Sequence, residues 1–208
     1  MHRFRLATIL ASLLFCAGAA RSAPMTYTIL SKISKVSFNL EHQGFIPVSG
    51  VMKISPGSFT FDEQDWSKSS VAVTLPISKL DMGDGIWNEQ IRKDKNWGAL
   101  FQPLNISFRS TRLERSDKSN GMLYGELTLA GITRPVALKV HVNKMGINKV
   151  SELQAIGLTA VGSLKRSEFG LGAYADLVGD DIAIQIQIEA AMGEDPDAEQ
   201  EKALNTRT

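Results

Sequence analysis

The stretch "DIAIQIQIEA" near the C-terminal end constrains this chain more than any other. Ile182, Ile184, Ile186 and Ile188 step by two, with Ala183, Gln185, Gln187 and Glu189 between them. Successive side chains of a strand point to opposite faces, so the pattern makes one apolar face and one wet face. Strands of that kind belong to antiparallel sheets, because parallel strands are covered on both faces and read as continuous apolar runs. The same step recurs at Val36-Phe38-Leu40-His42, Val71-Val73-Leu75-Ile77, Ile106-Phe108 and Val136-Leu138-Val140-Val142. Turn signals punctuate the runs at Ser55–Ser58, Ser116–Gly121 and Lys144–Lys149. About eight or nine such strands predict an all-β fold, either a closed antiparallel barrel or a sandwich.

"GELTLAGITRPVALKV" (Gly125–Val140) predicts a β-hairpin within that sheet. Its two alternating runs flank Ala130–Pro135, and the second strand is expected to start at Pro135, where a missing N–H does least harm. One segment departs from the period of two. In "LDMGDGIWNEQIRKDKNWGALFQPL", Ile86, Trp87, Ile91, Trp97, Leu100 and Phe101 are spaced like a helix's apolar stripe, with Pro103 closing it. This predicts a helical insertion around residues 84–101, placed to plug or cover one barrel end.

The two ends read differently from the middle. Arg3 and Arg5, an apolar run from Leu6 to Ala17 and small residues before Pro24 have the layout of a secretory signal peptide over residues 1–22. That run is shorter than the roughly 20 apolar residues of a membrane span, and a lipoprotein site at Cys16 is disfavoured by bulky Phe15. The expectation is an exported, periplasmic chain with no stable membrane insertion. Cys16 is the only cysteine and leaves with the leader, so stability must come from a core rather than from disulfides. Residues 24–192 then form one domain, and the polar, acidic stretch 193–208 is expected to be a disordered tail. A net charge of +1 with no basic block gives no indication of a nucleic-acid partner.

Chemistry-bearing motifs are sparse. No His-x-x-x-His, paired cysteines or carboxylate cluster has metal-ligand spacing, no cofactor motif is present, and "DMGDG" (Asp81–Gly85) lacks the closing glutamate of a calcium loop. There is no nucleophile elbow and no phosphate loop. His141 falls on the wet side of its strand, whereas His42 is in phase with Phe38 and Leu40 and should point inward. An inward His42 suits a histidine satisfied by a neighbouring carbonyl or hydroxyl. The second reading, placed behind it, is a polar group meeting the head of an amphiphile in an apolar cavity. A small barrel either fills its interior with side chains or holds one ligand, and alternation alone does not separate the two.

Several stretches together resemble the YceI-like family, the lipocalin-like polyisoprenoid-binding proteins of the bacterial periplasm. They are "ISKVSFNLEHQGFIPVSGVMKI" with its Phe38-x-Leu40-x-His42 step, "GELTLAGITRPVAL", "LKRSEFGLG" and "MGDGIWNE" with "NWGALFQPLNISFRS" after it. The resemblance spans about Tyr27 to Ala190. It departs at Gly98, where a phenylalanine usually follows the tryptophan, and at Leu104, where a proline usually precedes the strand.

The resemblance implies a lipocalin-like antiparallel barrel of about eight strands. It also implies a non-catalytic carrier of an isoprenoid lipid, such as a prenyl quinone or polyprenyl phosphate. Another amphiphile (a fatty acid or amide) and an enzyme acting on a bound lipid through His42 are the alternatives. With a cavity implied, alternation assigns Phe38, Leu40, Phe108 and Ile184 to its walls. Trp97 and Phe101 would form the helical end, and His42 would sit near a polar head. "KRSEFG" reads first as fixing a barrel turn, with Arg166 the candidate contact for a phosphate or quinone oxygen. Gly131 and Gly170 read as backbone requirements at turns. No cofactor, metal or catalytic residue is assigned, and a homodimer stays compatible with the sequence.

Overall fold

The computed structural model describes residues 23–102, 105–194 and 196–206. The signal-peptide reading of residues 1–22 and the Leu104 departure lie outside them. The strands are β1 (Met25–Ile29), β2 (Lys35–His42), β3 (Ile46–Lys53), β4 (Ser58–Phe61) and β5 (Ser70–Pro76). Helix α1 (Gly85–Lys93) follows, then β6 (Asn105–Arg115), β7 (Asn120–Leu129) and β8 (Ile132–Ile147). The chain continues through β9 (Gln154–Lys165), β10 (Val178–Ala191) and helix α2 (Pro196–Thr206). Every named strand pairing is antiparallel.

Ten strands make eight staves. β1 and β2 lie end to end along the same edge of β10, where Thr28 faces Ala191 and Val36 faces Ile186. The stave breaks at residues 30–34, and β3 with β4 breaks in parallel at the Ser55–Gly57 turn. The order then runs β5, β6, β7, β8, β9, β10 and returns to β1. Among the described residues, closure leaves a free sheet edge in one place around the ring. The upper half of β3 meets no strand of β5; only Val51 and Asp81 exchange backbone hydrogen bonds there, at 2.8 and 3.0 Å.

The period of two is realised as read. Ile182, Ile184, Ile186 and Ile188 face inward, and Ala183, Gln185 and Gln187 are exposed. The barrel is apolar inside and polar outside, the reverse of a membrane-spanning barrel with a wet lumen.

Its lower end, where β1 meets β4, is sealed. Tyr27 stacks on Phe59, Phe61 meets Trp66 edge-on at 5.4 Å, and Ile156 and Ala190 are fully buried beside them. Trp66 fits because Gly121 lies under it: a Cβ there would stand 2.6 Å from the indole and 2.5 Å from the Glu114 carbonyl. Gly121→Ala should therefore cost about 1–3 kcal/mol by overpacking, read as a lower denaturation midpoint in urea. An unchanged midpoint would mean that the base yields at no cost.

Four readings are corrected. The β7–β8 turn is two residues long, not six: Ala130 and Gly131 take φ 52° and 76°, the type I′ geometry that matches strand twist. Pro135 lies within β8, opposite Glu126, in a stretch where β9 has not yet begun to pair, so no ladder bond is lost. The turn expected at Lys144–Lys149 falls later, because β8 runs to Ile147 and the Asn148 side chain accepts from the Val150 and Ser151 N–H groups. The expected disordered tail holds α2. Pro196 is buried at its first position, and the Ser31 N–H and hydroxyl both donate to Asp197 (2.9 and 3.0 Å). Composition alone missed it because Glu, Gln and Lys are strong helix formers as well as polar residues, and Ala is the strongest helix former of all.

The helical insertion is α1 followed by a 3-10 turn at Lys95–Phe101. Aspartates define both starts: Asp84 accepts from the Trp87 N–H at 2.9 Å, and Asp94 accepts from the Asn96 N–H at 2.7 Å. Asp81, in the "DMGDG" patch, accepts from Gly83 N–H and Asn88 Nδ2. Asp84 and Asp94 are engaged in capping, and Asp81 in the turn that leads into α1.

Candidate ligand-binding cavity

Inward-facing residues of a filled barrel would be fully buried. Here the four isoleucines of β10 stay half-buried, as do Leu127, Val136 and Ile106, because they face open space. That space is a cavity of about 510 Å³ running down the barrel axis from the end that carries His42, Lys165 and Val178. Its walls are almost wholly apolar. Toward the upper end His42, Gln90, Asp94, Ser163 and Arg166 border it; lower down the polar residues among those described are Thr60, Ser69 and Ser70.

The insertion lies across this upper end. Trp87 and Ile91 of α1, then Trp97 and Leu100, turn toward the cavity, while Ile86 points away. Asp94 ties the insertion to the β9–β10 loop: Tyr174 donates its hydroxyl proton to Oδ2 at 2.6 Å, and Asn96 Nδ2 donates to the Tyr174 oxygen at 2.8 Å. The bond from Tyr174, then the Asn96 N–H, hold the Asp94 carboxyl below its ordinary pKa. Trp97 lies over Tyr174 with ring centroids 6.1 Å apart.

Seven of the eight sequence-derived site residues border the cavity: Phe38, Leu40, His42, Trp97, Phe108, Arg166 and Ile184. Phe101 does not; it packs against the main core cluster. Phe108 is buried and presses on Gly125, where a Cβ would stand 2.4 Å from the ring. Phe38 presses on Gly50 in the same way, at 2.2 Å. His42 is half-buried and tilts against Trp87, with centroids 5.9 Å apart, and its Nε2 lies 3.5 Å from Gln43 Nε2. His141 is exposed and meets Asn120 at 2.8 Å.

Arg166 fixes a turn, the role read first for "KRSEFG", rather than reaching out as a head-group contact. Only 2% exposed, it donates from Nε to Gly179 O (2.9 Å), from Nη1 to Ala173 O (2.6 Å) and Leu171 O, and from Nη2 to Val178 O (2.6 Å). Burial lowers its pKa, opposed by the nearby Asp180 charge. The guanidinium is thus a clamp that holds the whole β9–β10 loop, with Trp97 5.5 Å above it. Gly170 (φ 72°) starts that loop in the left-handed region, as expected of it. Sequence reasoning missed Leu171 and Val178 in the lining and Trp66 at the sealed base, and placed Trp87 in the insertion without assigning it to the site. The usable signal was a tryptophan standing alone in a polar turn.

A family model described as a YceI-like domain matches residues 27–190. The chain belongs to the YceI-like family. Among curated relatives, this YceI-like chain is 27% identical over 184 residues to a UPF0312 protein of Serratia proteamaculans, covering 86% of this chain and 91% of that one. Among solved structures, Burkholderia cenocepacia BcnA superposes with a TM-score of 0.68 at 25% identity, over 78% of this chain and 98% of that chain. A polyisoprenoid-binding domain from Saccharophagus degradans superposes with a TM-score of 0.55 at 9% identity, over 79% and 97% of the two chains. At that identity it shows a shared fold.

Proposed function

We propose that this YceI-like protein is an exported, periplasmic carrier that holds one isoprenoid lipid in its barrel without chemically altering it. The observation that carries the reading is the hollow axis: about 510 Å³ lined by apolar side chains, sealed below by Trp66 and bordered by polar groups above. Each methylene removed from water contributes about 0.8 kcal/mol. A long prenyl chain is therefore held by its length alone, while the polar head stays near His42 and Gln90. The polyisoprenoid-binding domain that shares this fold supports the choice of ligand class. The leader-like residues 1–22 support export.

Native mass spectrometry of the mature protein recovered from periplasm, followed by solvent extraction, tests the proposal. The expected result is a co-purifying mass that dissociates as a prenyl chain, and uptake of added solanesol by stripped protein. A fatty acyl mass would assign a different amphiphile. Protein at its bare mass that takes up no solanesol would overturn the carrier reading.

A further inference from the structure

Large apolar side chains are exposed at the upper end of the barrel, and they come from three separate segments. Phe45 (83% exposed) and Ile46 (60%) form the tip of the β2–β3 hairpin, and Ile86 (67%) opens α1. Trp87, Tyr174 and Leu177 are exposed to a lesser degree. Contacts join them into one rim. The Gln43 N–H donates to Leu177 O at 2.8 Å, His42 meets Trp87, and Trp97 meets Tyr174. His42, Trp87 and Trp97 also border the cavity, so the rim surrounds its mouth.

From His42 to Ser49 and from Gly170 to Ala175 the chain carries no formally charged side chain. Taking about 200 Å² for a whole large side chain, these six expose on the order of 600–700 Å². That exceeds the roughly 300–600 Å² of the largest apolar patch on an ordinary monomer. It falls short of the roughly 800 Å² that each partner buries in a stable protein–protein interface. The rim is made of protruding tips around a hole, not of a flat face. Aromatic and branched side chains presented this way suit the boundary between lipid headgroups and acyl chains.

We infer that this rim docks the barrel mouth onto a lipid bilayer surface, so that an amphiphile passes between membrane and cavity without crossing water. The inference rests on the carrier reading for its purpose, but docking and carriage are measured separately. Co-sedimentation with vesicles of phosphatidylethanolamine and phosphatidylglycerol, free of isoprenoid, reads docking. Uptake of solanesol delivered from detergent reads the cavity.

The full mature chain should bind the vesicles, and Phe45→Ser with Ile46→Ser should weaken binding at least about tenfold, because the apolar contact is lost. Ile147→Ser, which removes an exposed apolar group at the opposite end of β8, should leave vesicle binding unchanged. All three proteins should take up solanesol from detergent equally, since none of these side chains borders the main cavity. Unchanged vesicle binding by the double variant, or none by the native chain, would overturn the inference. So would native protein that self-associates in vesicle-free buffer while the double variant is monomeric, which would give the rim to a second copy. Vesicle binding that depends on Phe45 and Ile46, without solanesol uptake by any of the three, would support docking and defeat the carrier reading.

Discussion

Ile184→Glu should abolish solanesol uptake, whereas Gln185→Glu, one residue further on, should leave it intact. Ile184 sits at mid-height on β10, paired with Phe38 on one side and Gly162 on the other, and its side chain faces the cavity. Gln185 points outward and is exposed. The two changes add the same charge less than 4 Å apart along the backbone, but a one-residue step reverses the face. A prenyl chain entering the glutamate barrel would strip water from a carboxylate that has no partner, at a cost of several kcal/mol. Affinity should fall by at least about 100-fold, since each 1.4 kcal/mol is tenfold.

The pH dependence has a defined sign. Burial disfavours the charged form and raises a carboxyl pKa, so the Ile184→Glu protein should regain uptake as pH falls and the carboxyl becomes neutral. Gln185→Glu should show no such recovery. Fluorescence titration with solanesol at several pH values reads both effects. Equal affinities for the two variants would mean that β10 does not line the binding site.

The contrast between those two neighbours is also what the sequence makes most legible. Alternation at Ile182–Ile188 identifies strand, face and antiparallel class, because side-chain direction follows directly from backbone geometry. The helix and the inward turn of Trp87 and Ile91 are legible for the same reason, although Ile86, read into the same stripe, points outward. The need for positive φ at Gly131 and Gly170 is legible too. Hollowness is not legible. An isoleucine facing a filled core and one facing a cavity occupy the same position in the pattern, and only the half-buried state of Ile184 separates them.

Closure of the barrel is hidden too, because it depends on two staves breaking together, at residues 30–34 and Ser55–Gly57. Pro135 was misread as a strand start, since whether a proline costs a hydrogen bond depends on a neighbour, β9, that local sequence does not report. Arg166 is the clearest case. That "KRSEFG" fixes a barrel turn is legible, but which side chain does so is not: Arg166 by itself reads as a contact for a phosphate or quinone oxygen. Its four carbonyl partners come together only when the β9–β10 loop folds over it.

That geometry makes Arg166→Met the most damaging single change expected outside the cavity walls. The substitution keeps an unbranched stem of similar bulk and removes every donor. The carbonyls of Leu171, Ala173, Val178 and Gly179 then lose their partner, and a buried carbonyl left unpaired costs about 1–3 kcal/mol. Some of the four will find water as the loop loosens. A net loss of about 4 kcal/mol is therefore expected, or roughly 10 °C in Tm for a domain of this size.

Arg166→Lys should recover only part of that loss, because one ammonium with three donors does not span carbonyls that a planar five-donor fork reaches. A headless hydrocarbon such as squalene discriminates the clamp from a head-group contact. If Arg166 holds the loop, the methionine variant should lose Tm in the absence of any ligand and bind squalene and a polyprenyl phosphate with similarly reduced affinity. If Arg166 instead serves the head group, Tm should stay within about 2 °C of the parent, less than 1 kcal/mol for such a domain, and only the phosphate should bind more weakly. The two outcomes exclude one another, and thermal denaturation of ligand-free protein alone decides between them.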